Sequence, residues 1–348
     1  MFDLNSKFNT FYRDHVVLSR DEQNQLNEKK RLNIARLESG LSDYNREKNA
    51  SYNIVDTIVQ GSMAMHSITQ RDNHQYDIDI AIIFDKANIP GDTNRVKRIV
   101  AEALKEKMGT FNTKPKVKTN AITIEYAEGY HVDFAIYRRF ADNNGDYKYE
   151  HCGASWNPRD PRAITNWFNN QNENNGNLRK VLRLLKMFCK SRNDWSMPGG
   201  LVLSVLSSEC LSSDPRLDIT FYNTICAIRD RLNSSQEVYN PIASKVSLLF
   251  DSKDKREITN LSTELTKSIV ELDILFAGNC TQTQAMHAWN EFFKHDYWSN
   301  LAENAESSLV HMKDEKSESG SLMLSLFVLG AAVIGGTIWL IFKSNREK

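Results

Sequence analysis

Two aspartates, Asp77 and Asp79, have the types and spacing that most clearly suggest chemistry in this sequence. They alternate with Ile78, Ile80 and Ile82, and such alternation is typical of a strand with one buried face. The two carboxylates then point the same way, and the isoleucines enter the core. Hard oxygen ligands of this kind suit Mg²⁺, with Mn²⁺ as an alternative. Two acids at a strand end are often only solvated, so the pair alone leaves both interpretations open.

A third carboxylate and a phosphate-binding turn favour the metal interpretation. Asp133 lies in a predicted strand over residues 130–137, which returns through a tight turn from a strand over residues 121–127. A carboxylate among apolar neighbours is costly without a cation. Upstream, Gly61 and Ser62 are predicted to open a helix, whose backbone N–H groups bind phosphate oxygens. Three carboxylates on adjacent strands beside such a turn are what two-metal nucleotidyl transfer needs.

These segments resemble the catalytic signature of the nucleotidyltransferase superfamily, which includes poly(A) polymerases, oligoadenylate synthases and cyclic GMP-AMP synthase. The resemblance is closer to the bacterial cGAS/DncV-like nucleotidyltransferases (CD-NTases) of antiphage cyclic-oligonucleotide signalling. It extends over residues 5–300 and rests on three motifs, Gly61-Ser62, Tyr76-Asp77-Ile78-Asp79-Ile80 and His131-Val132-Asp133. Met63 follows the Gly-Ser pair, where these enzymes commonly carry an aromatic residue.

The resemblance implies an α+β fold in which a polymerase-beta-like nucleotidyltransferase lobe with a mixed sheet is joined by a helical second lobe. In this bilobal arrangement Asp77, Asp79 and Asp133 are the catalytic metal ligands, and the substrates are nucleoside triphosphates. It further implies that Lys186, on a helix of the second lobe, and Ser204 contact the nucleotide. Without the resemblance, Lys186 reads equally well as part of a solvated helix face.

Changes in pattern along the chain predict its organisation. Residues 1–48 form a long N-terminal helix that braces the sheet, because apolar residues recur at helical spacing among charges. Residues 49–160 form the catalytic lobe, and residues 161–310 form the helical lobe. Polar residues 311–321 are a flexible linker. A C-terminal transmembrane helix follows over residues 322–342.

The membrane helix is predicted from a run of 21 uncharged, mainly apolar residues. At about 1.5 Å per residue, such a run spans the roughly 30 Å core of a bilayer. The alternative is a buried helix of the soluble core. The small-residue pairs Ala331/Gly335 and Ala332/Gly336 favour close approach of two such helices and hence a homodimer.

Charge does not orient the predicted membrane helix, since lysines and arginines lie on both of its sides. Use of nucleoside triphosphates would place the catalytic domain in the cytoplasm. We therefore expect a single-pass, tail-anchored protein of the bacterial inner membrane, where a membrane effector is a natural partner.

Composition excludes little but agrees with this interpretation. Lysine plus arginine equals aspartate plus glutamate, 44 each, so no global basic field indicates a stable nucleic-acid partner. The five cysteines are odd in number and widely spaced, which favours a reducing compartment over disulfides or structural zinc.

The same carboxylates serve several acceptors, so the sequence leaves the product open. The main hypothesis is synthesis of a cyclic oligonucleotide messenger in antiphage defence. A linear oligonucleotide synthase and a transferase that acts on protein or RNA are alternatives. A catalytically inactive, membrane-anchored adaptor of the same fold is a further one.

Overall fold

The structure is a computed structural model that describes residues 1–70, 75–107, 114–192 and 195–307. These residues fall into two compact units, the first built from residues 3–271 and the second beginning at Leu272. The first unit contains the sheet and every predicted site residue.

The helices of the first unit are α1 (Asn5–Phe11), α2 (Arg20–Lys48), α3 (Gly61–Ala64), α4 (Thr93–Glu106), α5 (Ala163–Asn174), α6 (Leu178–Lys190), α7 (Gly200–Glu209), α8 (Leu217–Ser234) and α9 (Ser252–Glu271). The strands are β1 (Ile54–Val59), β2 (Asp77–Asp85), β3 (Lys116–Val117), β4 (Ile122–Glu125), β5 (His131–Ala141), β6 (Tyr147–Cys152), β7 (Trp156–Pro158), β8 (Tyr239–Asn240) and β9 (Ala243–Ser247). The second unit contains α10 (Gln282–Phe293) and a 3₁₀ turn (Asp273–Phe276).

A seven-stranded mixed sheet is the centre of the first unit. Its main path runs β1-β2-β5-β4-β3, and β6 pairs with the second half of β5 and then with β7. Strands β2 and β5 are parallel, whereas β1 and β4 run antiparallel to their neighbours. The predicted α+β class with a mixed sheet is therefore confirmed.

The core lies mainly against one face of this sheet. Ile78, Ile80 and Ile82 are fully buried there, as their alternation with the aspartates predicts. Leu37 of α2 and Val100 of α4 belong to the same apolar cluster. Burial of apolar area of this kind is the main favourable term in folding, at about 25 cal/mol per Å². The two helices hold β2 rigidly from behind, which steadies the carboxylates on its other face.

The long N-terminal helix begins later than the sequence pattern predicts. A π-helical turn (Tyr12–Val16) follows α1, and the chain is extended at Val17 before α2 starts at Arg20. The physical reason is a capping box, in which the Ser19 hydroxyl accepts from the backbone N–H of Glu22 and the Glu22 carboxylate accepts from that of Ser19.

Helices dominate the first unit after residue 160. Helix α6 buries one apolar face that includes Leu182 and Leu185, and α8 packs on both α6 and α9. The small hairpin β8–β9 interrupts this helical part and is absent from the sequence-based prediction. The first unit ends at Glu271, inside the range predicted for the helical lobe, whose boundaries stay predictions.

The predicted membrane helix, residues 322–342, and its linker, residues 311–321, lie outside the described residues. Within the part of the chain that the structure describes, no helix combines the length and the apolar character that a bilayer crossing requires.

Candidate active site

Three polar side chains form a row across adjacent strands. In the sheet register Asp79 of β2 lies directly opposite Asp133 of β5, which lies opposite Thr123 of β4. Asp77 lies opposite His131 in the same pairing. Residues at matched positions share a face of the sheet, so the pairing brings together the carboxylates that the sequence places on separate strands.

The turn after β1 contacts this row of side chains at Asp79. Gly61 has a left-handed φ of +59°, and the preceding Gln60 donates its backbone N–H to the carbonyl of Asp79 at 2.9 Å. A Cβ on Gly61 would lie 1.9 Å from Oδ2 of Asp79. Only glycine accommodates both the left-handed φ and this close approach. The turn thus places Gly61 and Ser62, at the start of α3, next to the carboxylates.

These residues line a cavity of about 540 Å³. All of the predicted site residues except Ser204 contribute to it: Gly61, Ser62, Asp77, Asp79, Asp133 and Lys186. A cavity of this size lies within the range of small-ligand sites, which measure about 300–1,000 Å³.

The surroundings of Asp79 disfavour the charged form of its carboxyl group. Burial, followed by repulsion from Asp77 and Asp133, raises the pKa of Asp79 to about 7, and the opposing influence of Lys186 is smaller. Although Asp79 as a residue is only half-buried, its carboxyl group is enclosed by protein atoms. Acids that repel each other in this way are characteristic of catalytic clusters.

Neighbouring side chains hold the other two carboxylates. The hydroxyl of Thr123, itself buried, donates to Oδ1 of Asp133, and Nζ of Lys118 lies 3.9 Å from the same oxygen. Nδ1 of His131 lies 3.4 Å from Oδ1 of Asp77. Thr123 therefore fixes the orientation of the central carboxylate of the row.

The fit of this site to a divalent cation rests on donor chemistry. Among the described residues, no group of three or more histidine, cysteine, aspartate or glutamate side chains is already arranged to hold a metal ion. The donors are nonetheless hard anionic oxygens, and a divalent cation would offset both the burial and the repulsion from Asp77 and Asp133 that raise the pKa of Asp79. Asp77, Asp79 and Asp133 therefore fit Mg²⁺ or Mn²⁺.

Two lysines of α6 line the other side of the cavity. Lys186 is buried, and its Nζ donates to the carbonyl and the hydroxyl of Ser67 at 3.0 and 3.1 Å. Lys190, one turn further along, donates to the hydroxyl of Thr69 and also lines the cavity. Lys190 is absent from the sequence-based prediction, although its i+4 spacing from Lys186 would have indicated it.

The structure does not bring Ser204 to the cavity. Its side chain is fully buried in α7 and donates to the carbonyl of Gly200 at 2.7 Å. A serine hydroxyl in a helix readily bonds to the carbonyl four residues earlier, and this bond turns Ser204 toward its own helix. Three further charged residues that are absent from the sequence-based prediction line the cavity: Lys118, Arg159 and Asp160. His131, part of the third sequence motif, also lines it and lies two residues from Asp133 on the same strand face.

Comparisons with known proteins agree with this geometry. Residues 55–137 match the family described as "Cyclic GMP-AMP synthase DncV-like, nucleotidyltransferase domain". This range takes in β1 from its second residue, the Gly61 turn, β2 and Asp133. The chain thus carries a nucleotidyltransferase domain, and the protein is an enzyme of this class.

Solved structures show the same fold at low sequence identity. The chain is similar to the GTP-bound form of DncV from Vibrio cholerae, with a TM-score of 0.65, 16% identity and coverage of 82% of this chain and 94% of that one. It is also similar to CdnC of E. coli MS115-1 with ATP, with a TM-score of 0.61, 14% identity and coverage of 84% and 98%. CdnG, a CD-NTase of Bradyrhizobium diazoefficiens in complex with GTP, gives a TM-score of 0.63, 15% identity and coverage of 88% and 100%.

Proposed function

We propose that this protein joins nucleoside triphosphates into a cyclic oligonucleotide messenger. The observation that supports this most is that the three carboxylates, the Gly61 turn and Lys186 line one cavity. The carboxylates and the turn lie within residues 55–137, which match a DncV-like nucleotidyltransferase family. Structures of relatives contain GTP or ATP, which supports nucleoside triphosphates as the substrates.

We assign one set of cavity residues to binding the phosphates and another to binding the metal ions. Backbone N–H groups at Gly61 and Ser62 and the ammonium groups of Lys186 and Lys190 bind the phosphates of the donor nucleotide. Asp77, Asp79 and Asp133 would hold two Mg²⁺ ions. When bound, such ions activate the attacking hydroxyl and neutralise the charge that develops on the phosphates.

The proposed reaction is a nucleotidyl transfer. A ribose hydroxyl of one nucleotide forms a bond to the α-phosphorus of another, the bond from that phosphorus to the β-phosphate oxygen breaks, and pyrophosphate leaves. The hydroxyl proton passes to solvent. A second transfer within the linear product closes the ring and releases a second pyrophosphate. The chain's contribution is to orient the triphosphate between the Gly61 turn and α6, with the carboxylates beside the reacting phosphate.

Product analysis tests this proposal. The full-length protein is incubated with all four nucleoside triphosphates and Mg²⁺, and the products are treated with phosphatase and identified by mass spectrometry. We expect pyrophosphate and a phosphatase-resistant cyclic oligonucleotide. A product that loses terminal phosphates would instead establish a linear oligonucleotide synthase, and labelling of added RNA or protein would establish a transferase. Tight binding of nucleotide without turnover would establish the inactive adaptor.

We further propose that residues 322–342 anchor the enzyme in the bacterial inner membrane, with the catalytic domain in the cytoplasm and the messenger acting in antiphage defence. The apolar run supports the anchor. Confinement to a membrane raises the effective concentration of a membrane effector without any new contact surface. Pairing of the small residues at positions 331 and 335 supports a homodimer.

Deletion of residues 322–348 should abolish membrane fractionation and leave nucleotide turnover within about twofold, because every residue of the cavity lies before position 202. Fractionation of cells and pyrophosphate release measure the two effects. As a matched control, Gly335→Leu with Gly336→Leu should retain insertion but reduce crosslinked dimers. Unfolding of the truncated protein would show that the segment is a core helix and would overturn the anchor.

A further inference from the structure

Four cationic side chains lie along one face of α6. The positions 179, 183, 186 and 190 are separated by four, three and four residues, which keeps them on one side of a helix. Each donates to the segment that follows α3: Arg179 Nε to the carbonyl of Met65 at 2.9 Å, Arg183 Nη2 to the carbonyl of His66, Lys186 Nζ to the carbonyl of Ser67, and Lys190 Nζ to the hydroxyl of Thr69. Three consecutive carbonyl oxygens are thus each capped by a cation of one helix.

The capped segment is continuous with the phosphate-binding turn. The backbone N–H of Met65 donates to the carbonyl of Gly61 at 3.1 Å, and that of Ser67 donates to the carbonyl of Ser62 at 2.8 Å. Between them His66 has a left-handed φ of +50°. A non-glycine residue keeps such a conformation only where its surroundings hold it. The contact from Arg183 to the carbonyl of His66 supplies such a restraint.

The two arginines act from behind the cavity. Lys186 and Lys190 line it, whereas Arg179 and Arg183 are not among its lining residues. Each guanidinium is also fixed at a second point, Arg179 on Oδ1 of Asn169 at 3.1 Å and Arg183 on the hydroxyl of Tyr12 at 2.6 Å. The arginines therefore connect the nucleotide-facing turn to two other parts of the same unit.

We infer that Arg179 and Arg183 are positioning residues for the triphosphate, which act by holding residues 65–67 and hence the N–H groups of Gly61 and Ser62. This inference rests on the proposed function. Charge-assisted bonds to backbone carbonyls are shorter and stronger than neutral ones. Without them the left-handed turn at His66 relaxes, and the phosphate-binding groups lose their alignment. The defect then appears in substrate binding.

The test measures pyrophosphate release by the full-length protein against the concentration of an equimolar mixture of the four nucleoside triphosphates. Arg183→Gln should raise the apparent KM about tenfold, the effect of losing one charge-assisted hydrogen bond. Arg183→Lys, which keeps the charge and can reach the same carbonyl, should recover most of this loss. Tyr12→Phe is the matched control, because it removes the other partner of Arg183 and leaves the contact to His66. Its KM should stay within about twofold of the wild-type value, because the bond from Arg183 to the carbonyl of His66, which restrains the turn directly, is kept.

The KM distinguishes positioning from folding. Partial unfolding lowers the amount of active enzyme and hence kcat, but it leaves KM unchanged. An Arg183→Gln variant with wild-type KM, whatever its kcat, would overturn the inference. If the wild-type protein releases no pyrophosphate, the proposed function fails separately. Calorimetric binding of inorganic tripolyphosphate with Mg²⁺ then still tests the inference, because Arg183→Gln should weaken it about tenfold and equal affinity would overturn it.

Discussion

Asp79→Asn is expected to abolish nucleotide turnover while making the metal-free protein more stable at pH 8. Burial and repulsion from Asp77 and Asp133 raise the pKa of Asp79 from 3.8 to about 7, so at pH 8 a carboxylate is charged where charge is disfavoured. The amide removes that charge at nearly constant shape. It also removes an anionic metal ligand, and we expect turnover to fall by about 1,000-fold or more, since even partners outside the ligand shell contribute about 10–100-fold.

The stability that Asp79→Asn gains over the wild-type protein should grow as the pH rises. The folded protein keeps Asp79 protonated up to about pH 7, whereas the unfolded chain loses that proton near pH 3.8. The free energy of unfolding of the wild-type protein therefore falls relative to that of Asp79→Asn across this window and stays lower above it. We expect a difference of about 2 kcal/mol at pH 8 and none near pH 4, roughly half of what the full shift implies, because protein groups rearrange around a buried charge and screen it. Denaturant unfolding in the presence of a chelator measures it.

Asp85→Asn is the control on the same strand. Asp85 ends β2 about 20 Å from Asp79, where it pairs with Nε of Arg139 at 2.8 Å. This partly exposed ion pair contributes little to stability, so turnover should stay within about twofold. Retention of a tenth or more of the turnover by Asp79→Asn would contradict its assignment as a metal ligand.

Gly61→Ala should reduce turnover about 100-fold, because the new methyl group would move the Asp79 carboxylate out of position. The new Cβ would lie 1.9 Å from Oδ2 of Asp79, so the carboxylate must move, and a displacement of about 1 Å costs on the order of 100-fold in rate. The left-handed φ of +59° adds a destabilisation of about 1 kcal/mol. Steady-state pyrophosphate release and thermal unfolding measure the two effects.

Gly145→Ala is the control that separates the effect of backbone strain from the effect of moving the Asp79 carboxylate. Gly145 also has a left-handed φ, +86°, but nothing lies within 4 Å of a Cβ built on it. It occupies the turn between β5 and β6, so its substitution should reproduce the loss of stability and leave the turnover of the folded enzyme unchanged. If Gly145→Ala lowers turnover as much as Gly61→Ala does, the contact with Asp79 is not the cause.

Much of the site was predictable because its signals are local. Alternation along β2 places Asp77 and Asp79 on one face and Ile78, Ile80 and Ile82 on the other, as the structure confirms. The capping box at Ser19 and Glu22 was equally present in the sequence, and it explains why α2 begins at Arg20 rather than continuing from α1. Signals of this kind depend on neighbours within a few residues, so a single chain is enough to reveal them.

The sequence alone determined the residue types of the site and the strand, turn and helix that carry them. Tertiary structure decided the row from Thr123 through Asp133 to Asp79, because strand register depends on pairing between distant segments. It also decided which side chains of the helical part reach the cavity. Lys190 reaches it, whereas Ser204 turns to a carbonyl of its own helix. Helical spacing shows on which side of a helix a residue lies. Only the packing of α6 and α7 in the folded protein determines what that side of the helix contacts.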